Sequence, residues 1–298
     1  MVNTISLQLF QQFFSNYRYI LFEELIDYYA LFGGIETDTL ELYNPLDEVI
    51  ATLVLNDAAK KQLPFFLFEK PFREFLIALA KSDGKMDSLF RRLKIGQSLG
   101  EEIVHELVVN GILFKVESRE PPFKLYPKQI IKKELRSYRI EAKLYFTKPF
   151  FRFWFAFIEP YFSKERKVDM SNLFKNFNRE RYRLSSAVFE DLSNMLLKIY
   201  FQERDPIIEN GSLWNYHSEF DIFAKTESAK VIIGECKYRN RPIVKSELIK
   251  LKSKAEQSAI KPEIYTLFSK SGFSKELIKS KEDNLLLFSL DAFKRLLL

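Results

Sequence analysis

Cysteine is nearly absent from this chain: Cys236 stands alone among 298 residues. A single thiol excludes an intramolecular disulfide and fits a reducing, cytoplasmic setting. Histidine is almost as scarce, with His105 and His217 only. A structural zinc site, which takes four Cys or His ligands, is therefore excluded. There are nine glycines and no glycine-rich phosphate loop. The nearest stretch, Asp83-Gly84-Lys85-Met86-Asp87, has neither the loop nor its Ser/Thr, so Rossmann-type and P-loop nucleotide binding are not expected. No apolar run is long enough to span a bilayer. The first residues, MVNTISLQLFQQFF, lack the basic-then-apolar order of a signal peptide.

What is present is apolar and aromatic. The chain is 47% hydrophobic and 15% aromatic, with 30 Phe, which is the composition of a folded globular protein. The net charge is +6, and its distribution says more than its sum. Acids outnumber bases over residues 1–130, bases outnumber acids about two to one over 131–182, and a small basic surplus remains beyond. A polyanionic partner would meet the middle and last parts of the chain.

Apolar periodicity predicts helices over 19–31, ending at Gly33-Gly34, over 46–63, closed by Pro64, and after Pro71. Residues 87–126 change rhythm. DSLFRRL reads as a short helix and KIGQ as a turn. Ser98 would cap a helix to Asn110, with Glu101 completing a capping box. ILFKVESRE reads as a strand, PP as a turn and FKLYP as a return strand. Helix, turn, helix and hairpin is the order of a winged helix. Its second helix carries Glu101, Glu102 and Glu106 and no base, so it is better suited to a protein partner or a scaffold role than to a major groove.

The basic middle contains FTKPFFRFWFAFIEPYF. Its aromatics, Phe146, Phe150, Phe151, Phe153, Trp154, Phe155, Phe157, Tyr161 and Phe162, are too closely set for a base-stacking surface and read as core. Residues 164–178 read as a polar connector.

The last part alternates. A helix is expected over 184–201, then strands over 219–224 and 231–237, a helix over 246–259, and a strand over 263–269. A short helix over 274–279, a strand over 284–289 and a final helix complete it. The expected fold is therefore α+β, with an α/β last part. A helical region with a winged helix (residues 1–128, the winged helix at about 87–126) and a basic aromatic helical connector (129–182) precede a mixed sheet flanked by helices (183–298).

One strand ends oddly. VIIGECKYRN is β-branched and apolar until it meets Glu235, Cys236 and Lys237. Residues two apart in a strand share a face, so Glu235 and Lys237 stand side by side while Cys236 faces the other way. Asp221, in SEFDIF, lies a hairpin's length upstream, which would set it across the ladder from Glu235. Two facing carboxylates can share Mg²⁺ or Mn²⁺ that keeps most of its water, with the Cys236 carbonyl as a further oxygen ligand. Lys237 would orient an attacking water or neutralise phosphate charge. Glu190 lies on the preceding helix. Lys250, Lys254 and Gln257 on the following helix, and Arg239, Arg241 and Lys245 just past the strand, are candidates for contacts to nucleic-acid phosphates. A salt-bridged hairpin without metal is the plainer alternative.

Asp221, thirteen residues, then Glu235-Cys236-Lys237 is the pattern of the PD-(D/E)XK nucleases. The runs FFRFWFAFIEPYF, RLSSAVFEDL, WNYHSEFDIFAKTESAKVIIGECKYRN and IYTLFSKSGFSKEL resemble the C-terminal half of the archaeal-type ATPases known as the DUF234 group, from about residue 90 onward. The resemblance implies a winged helix followed by a restriction-endonuclease-like domain, and Mg²⁺-dependent phosphodiester hydrolysis, most simply of DNA. Asp221, Glu235 and Lys237 match the motif, Glu190 more loosely, and the Pro of its name is missing. Relatives usually begin with a P-loop ATPase, which this sequence does not contain, so ATP binding is not implied. The alternative is an inactive nuclease-fold module that binds DNA or a protein. No membrane partner is expected, and a homodimer is compatible with the fold.

Overall fold

The computed structural model describes residues 3–36, 41–55, 58–120, 126, 128–130, 133, 138–162, 167–280 and 282–297. Among these, no helix is long and apolar enough to cross a membrane. The chain divides into two compact units, Met1–Val116 with Ala142–Val188, and Glu117–Glu141 with Phe189–Leu298.

The first unit is helical. It contains α1 (Asn3–Asn16), α2 (Phe22–Phe32), α3 (Leu46–Leu55), α4 (Ala58–Lys61), α5 (Phe72–Ala80), α6 (Met86–Leu93) and α7 (Gln97–Val109). The two-stranded ladder β1 (Leu113–Val116) and β2 (Lys143–Phe146) follows, then α8 (Pro149–Phe153) and α9 (Met170–Glu180). The helix α10 (Tyr182–Phe201) begins here and ends in the second unit.

The aromatic run is the core of this unit. After α8 the chain continues as a π-helical turn over Trp154–Ile158 and a 3₁₀ turn over Glu159–Tyr161. Phe150, Phe151, Phe153, Trp154, Phe155 and Phe157 are all buried. Phe153 packs edge-on against Phe32 of α2 at 6.1 Å and Phe177 of α9 at 5.8 Å. Glu159 is buried among them, fully enclosed. Its Oε1 accepts from Arg73 Nε at 2.6 Å and its Oε2 from Trp154 Nε1 at 3.3 Å. Burying a carboxylate is tolerable only with such partners.

Two local expectations change here, and a third falls almost wholly outside the described residues. Gly96, not Ser98, caps α7, and Glu101 accepts from the Gln97 side chain at 2.8 Å instead of completing a capping box. The partner of β1 is Lys143–Phe146, antiparallel. The expected return strand at 123–127 lies outside the described residues except for Tyr126. Part of the expected 164–178 connector is helix, because Leu173 and Phe177 give the otherwise polar α9 a buried stripe.

The second unit is a five-stranded sheet in the order β3-β4-β5-β6-β7. These are β3 (Ile207–Trp214), β4 (Glu219–Thr226), β5 (Val231–Lys237), β6 (Ile264–Ser269) and β7 (Leu285–Ser289). β4 is antiparallel to both β3 and β5, β6 runs parallel to β5, and β7 parallel to β6. Parallel pairing needs a crossover, supplied by α11 (Lys245–Gln257) between β5 and β6 and by α12 (Lys275–Lys279) before β7. A 3₁₀ stretch over Leu290–Leu297 closes the chain. Leu248, Leu251 and Ala255 of α11 pack on Phe223 and Ile233. That face of β5 is therefore the one carrying residues 233, 235 and 237. Gly234 is the tightest point of the strand: a Cβ there would lie 2.7 Å from the Thr266 carbonyl of β6.

Candidate active site at the end of β5

The register pairs Ile222 with Gly234, which sets Asp221 opposite Glu235 at the point where the β4–β5 ladder ends. Beyond that point side chains take over from backbone pairing. Asp221 Oδ2 accepts from the Cys236 backbone N–H at 2.8 Å. Glu235 Oε1 accepts from Lys237 Nζ at 2.6 Å. Its Oε2 accepts from Lys254 Nζ of α11 at 2.8 Å, and the same ammonium donates to the Glu219 carbonyl at 3.0 Å. The pair at the strand end is not a solvated one: the side chains of Glu235 and Lys237 are only 13% and 24% exposed.

The electrostatics follow from this crowding. Burial, then the neighbouring Glu235 charge, push the Asp221 carboxyl up to about 6, against the Cys236 N–H bond and the Lys237 and Lys254 ammoniums, which favour its charged form. Burial works against the Lys237 ammonium, but Glu235, Asp221 and Glu247 outweigh it, and its pKa is raised. Cys236 is buried, and burial together with the Asp221 and Glu190 carboxylates pushes its thiol up despite the Ser193 hydroxyl. It is no nucleophile or thiolate ligand at neutral pH.

The structure brings together Asp221, Glu235, Lys237 and Lys254, and places Glu190 nearby. Asn194, one helical turn after Glu190, donates through Nδ2 to the Glu190 carbonyl at 3.0 Å and to the Asp221 carbonyl at 3.2 Å, tying α10 to β4. Asn194 was not singled out from sequence; both its bonds go to backbone carbonyls, which leave no pattern of side-chain types to read. Glu247 is a second addition. It pairs with Arg239 Nη2 at 3.4 Å and Lys250 Nζ at 3.5 Å.

The other candidates are dispersed. Lys245 reaches Glu276 at 3.7 Å and Arg241 is exposed. Gln257 is exposed and donates to Ser253 of its own helix. His217, four residues before Asp221, is exposed on the preceding turn, and its backbone N–H donates to the Asn215 side chain.

Among the described residues, no three His, Cys, Asp or Glu side chains are grouped to hold a metal ion. A cation at the strand end would rest on the Asp221 and Glu235 carboxylates, backbone oxygen and water. That donor set is all hard oxygen, which suits Mg²⁺ or Mn²⁺.

An α/β unit that gathers Asp221, Glu235 and two lysines at one strand end is thus defined by its geometry alone. Residues 154–257 match the family model DUF234, described as archaea bacterial proteins of unknown function, so the resemblance seen in the sequence holds over a segment that contains this site. No curated protein matches the sequence. Two solved structures are weakly similar. Protein VC1899 from Vibrio cholerae is 16% identical over 85% of this chain and 52% of its own, with a TM-score of 0.30. A half-complex from the tetradecameric assembly of Thermococcus gammatolerans McrB AAA+ hexamers with bound McrC is 12% identical over 76% and 51%, with a TM-score of 0.24. The chain spans about half the length of either, and neither likeness is close enough to assign a fold or function.

Proposed function

We propose that the second unit is a restriction-endonuclease-like domain that hydrolyses nucleic-acid phosphodiester bonds, most simply of DNA, with Mg²⁺ or Mn²⁺ in a cytoplasmic setting. The observation that carries this is the register placing Asp221 opposite Glu235, with Lys237 on the same face, at the end of the β4–β5 ladder. In this reading the Asp221 and Glu235 carboxylates would hold the cation, whose contribution would be to make a bound water more acidic and to offset phosphate charge. Lys237, an ammonium throughout the neutral range, orients the attacking water and balances the charge that develops on the phosphate. Asn194 fixes the β4 backbone beneath Asp221, and Glu190 adds negative charge behind the strand. Arg239, Arg241 and Lys245, just past the strand, are the candidates for phosphate contacts in this reading.

The test is cleavage of supercoiled plasmid and of single-stranded DNA with Mg²⁺ or Mn²⁺, beside Lys237→Ala and Asp221→Ala. Loss of cleavage in both variants with folding intact supports the proposal. No cleavage by the wild type with either metal, or equal cleavage by the variants, rejects it.

A second reading has its own support. The segment α6–α7–β1 follows winged-helix order. On α7, Glu101, Glu102 and Glu106 are exposed beside exposed Leu99, Val108 and Val109. An acidic surface with apolar points suits a protein partner better than phosphates. In this reading the first unit docks a protein, whether or not the second cuts nucleic acid.

A further inference from the structure

Both oxygens of Glu235 are already occupied by ammoniums, and the two lysines are not equivalent. Lys237 sits two residues along the same strand, at 2.6 Å from Oε1. Glu235, Asp221 and Glu247 all stabilise its charge, and its side chain is 24% exposed. Lys254 arrives from another element, α11, at 2.8 Å from Oε2. Its side chain is 34% exposed, and its second bond is to a single backbone carbonyl, that of Glu219. A hydrated ammonium on a flexible four-carbon stem leaves such a position at little cost, because water replaces both bonds. A dication approaching Glu235 from the Asp221 side meets an oxygen that one of these lysines already holds. Keeping both ammoniums beside it would set three positive centres around two carboxylates.

We propose that Lys254 is the resident counter-ion of Glu235 and is displaced when a divalent cation binds between Glu235 and Asp221. The inference rests on the metal-dependent reading given above and names the group that regulates loading of that site. Lys254 keeps Glu235 paired in the metal-free protein, and each binding event has to break that pair. The ammonium it frees is then available, next to the cation, for a phosphate oxygen of the bound strand. Lys237 stays in place and retains its role.

The inference predicts a sign that a merely structural lysine would not produce. Removing the Lys254 charge takes away the competitor, so the cation binds more tightly. The experiment is the Kd of Mn²⁺, from the electron paramagnetic resonance of the free ion at fixed pH and ionic strength. It is made on the wild type, Lys254→Met and Lys254→Arg, with thermal unfolding as the check on folding. Tightening of about tenfold in Lys254→Met, with Lys254→Arg close to wild type, is the expected result. If Lys254→Met does not fold, Lys254→Gln takes its place with the same expectation. Equal affinities in all variants overturn the role of Lys254 and leave the metal site standing, as does weaker binding in the neutral variant. No saturable Mn²⁺ binding by any of the proteins overturns both the inference and the reading beneath it.

Discussion

Asp221→Asn is expected to leave no measurable metal-dependent cleavage and, in the same molecule, to raise the stability of the fold above pH 6. The two effects have one cause. An amide keeps the shape of the carboxyl and still offers an oxygen to the Cys236 N–H. It offers no charge to a cation. A loss of several kcal/mol of transition-state stabilisation is on the order of 10³-fold or more in rate. The stability effect runs the other way. The Asp221 carboxyl titrates at about 6 in the folded chain, above its ordinary 3.8, because it is buried and beside Glu235. The native state therefore binds this proton more tightly than the unfolded chain does. The contribution of the group to stability is fullest below about pH 4, falls between about 4 and 6, and stays reduced above. The loss is up to about 3 kcal/mol at 1.36 kcal/mol per unit. Asn lacks this falling limb. Urea unfolding at pH 4.5 and 8 should show wild type and variant converging in acid and the variant ahead at pH 8. A variant that cuts at the wild-type rate contradicts the catalytic assignment. Parallel pH profiles contradict the electrostatic one.

Arg73→Met is expected to cost about 3–5 kcal/mol, the typical loss when one partner of a buried ion pair is removed. Glu159 has no exposure to solvent, and Arg73 supplies both its Nε at 2.6 Å and, to the Glu159 carbonyl, its Nη2 at 3.1 Å. Without the guanidinium, the enclosed carboxylate loses its charged partner and keeps the Trp154 indole N–H. Glu159→Gln is the contrasting case. It leaves Arg73, whose side chain is 30% exposed, free to be hydrated, and the amide can still accept from Trp154. Its loss should be about 1–2 kcal/mol. Equilibrium urea unfolding of the two variants gives the order. Equal losses, or a loss below 1 kcal/mol for Arg73→Met, would mean that the pair does not anchor the aromatic core.

The parts of the fold that were legible in the sequence are those whose signal is local. The β-branched run of β5 ends where the sequence places it, at Lys237, and the aromatic density of 150–157 reads as core because so many large rings have nowhere else to go. The strand β3 was not legible. It is an edge strand with a polar centre, Glu209-Asn210-Gly211-Ser212, its register shifts twice against β4, and its burial does not alternate. Part of what holds it comes from Arg119, which donates to the Asn210 carbonyl at 3.0 Å and pairs with Glu209 at 2.9 Å. A sequence window does not contain such a partner. The β1–β2 pairing is hidden for the same reason, because its strands are separated by residues 117–142. At the site, the spacing of Glu235 and Lys237 was readable from strand periodicity, and Asp221 from hairpin length. The role of Lys254 was not. Its helix carries several lysines, and only the packing of α11 on the sheet decides which one reaches Glu235.

The most direct measurement is anomalous diffraction from crystals of the protein grown with Mn²⁺. A single strong peak within about 2.0–2.3 Å of carboxylate oxygens of both Asp221 and Glu235 is the expected result, with Lys237 still beside the pair. A peak at other residues, or density in which Lys254 and Lys237 hold Glu235 unchanged at saturating Mn²⁺, would contradict a shared cation at the end of β5.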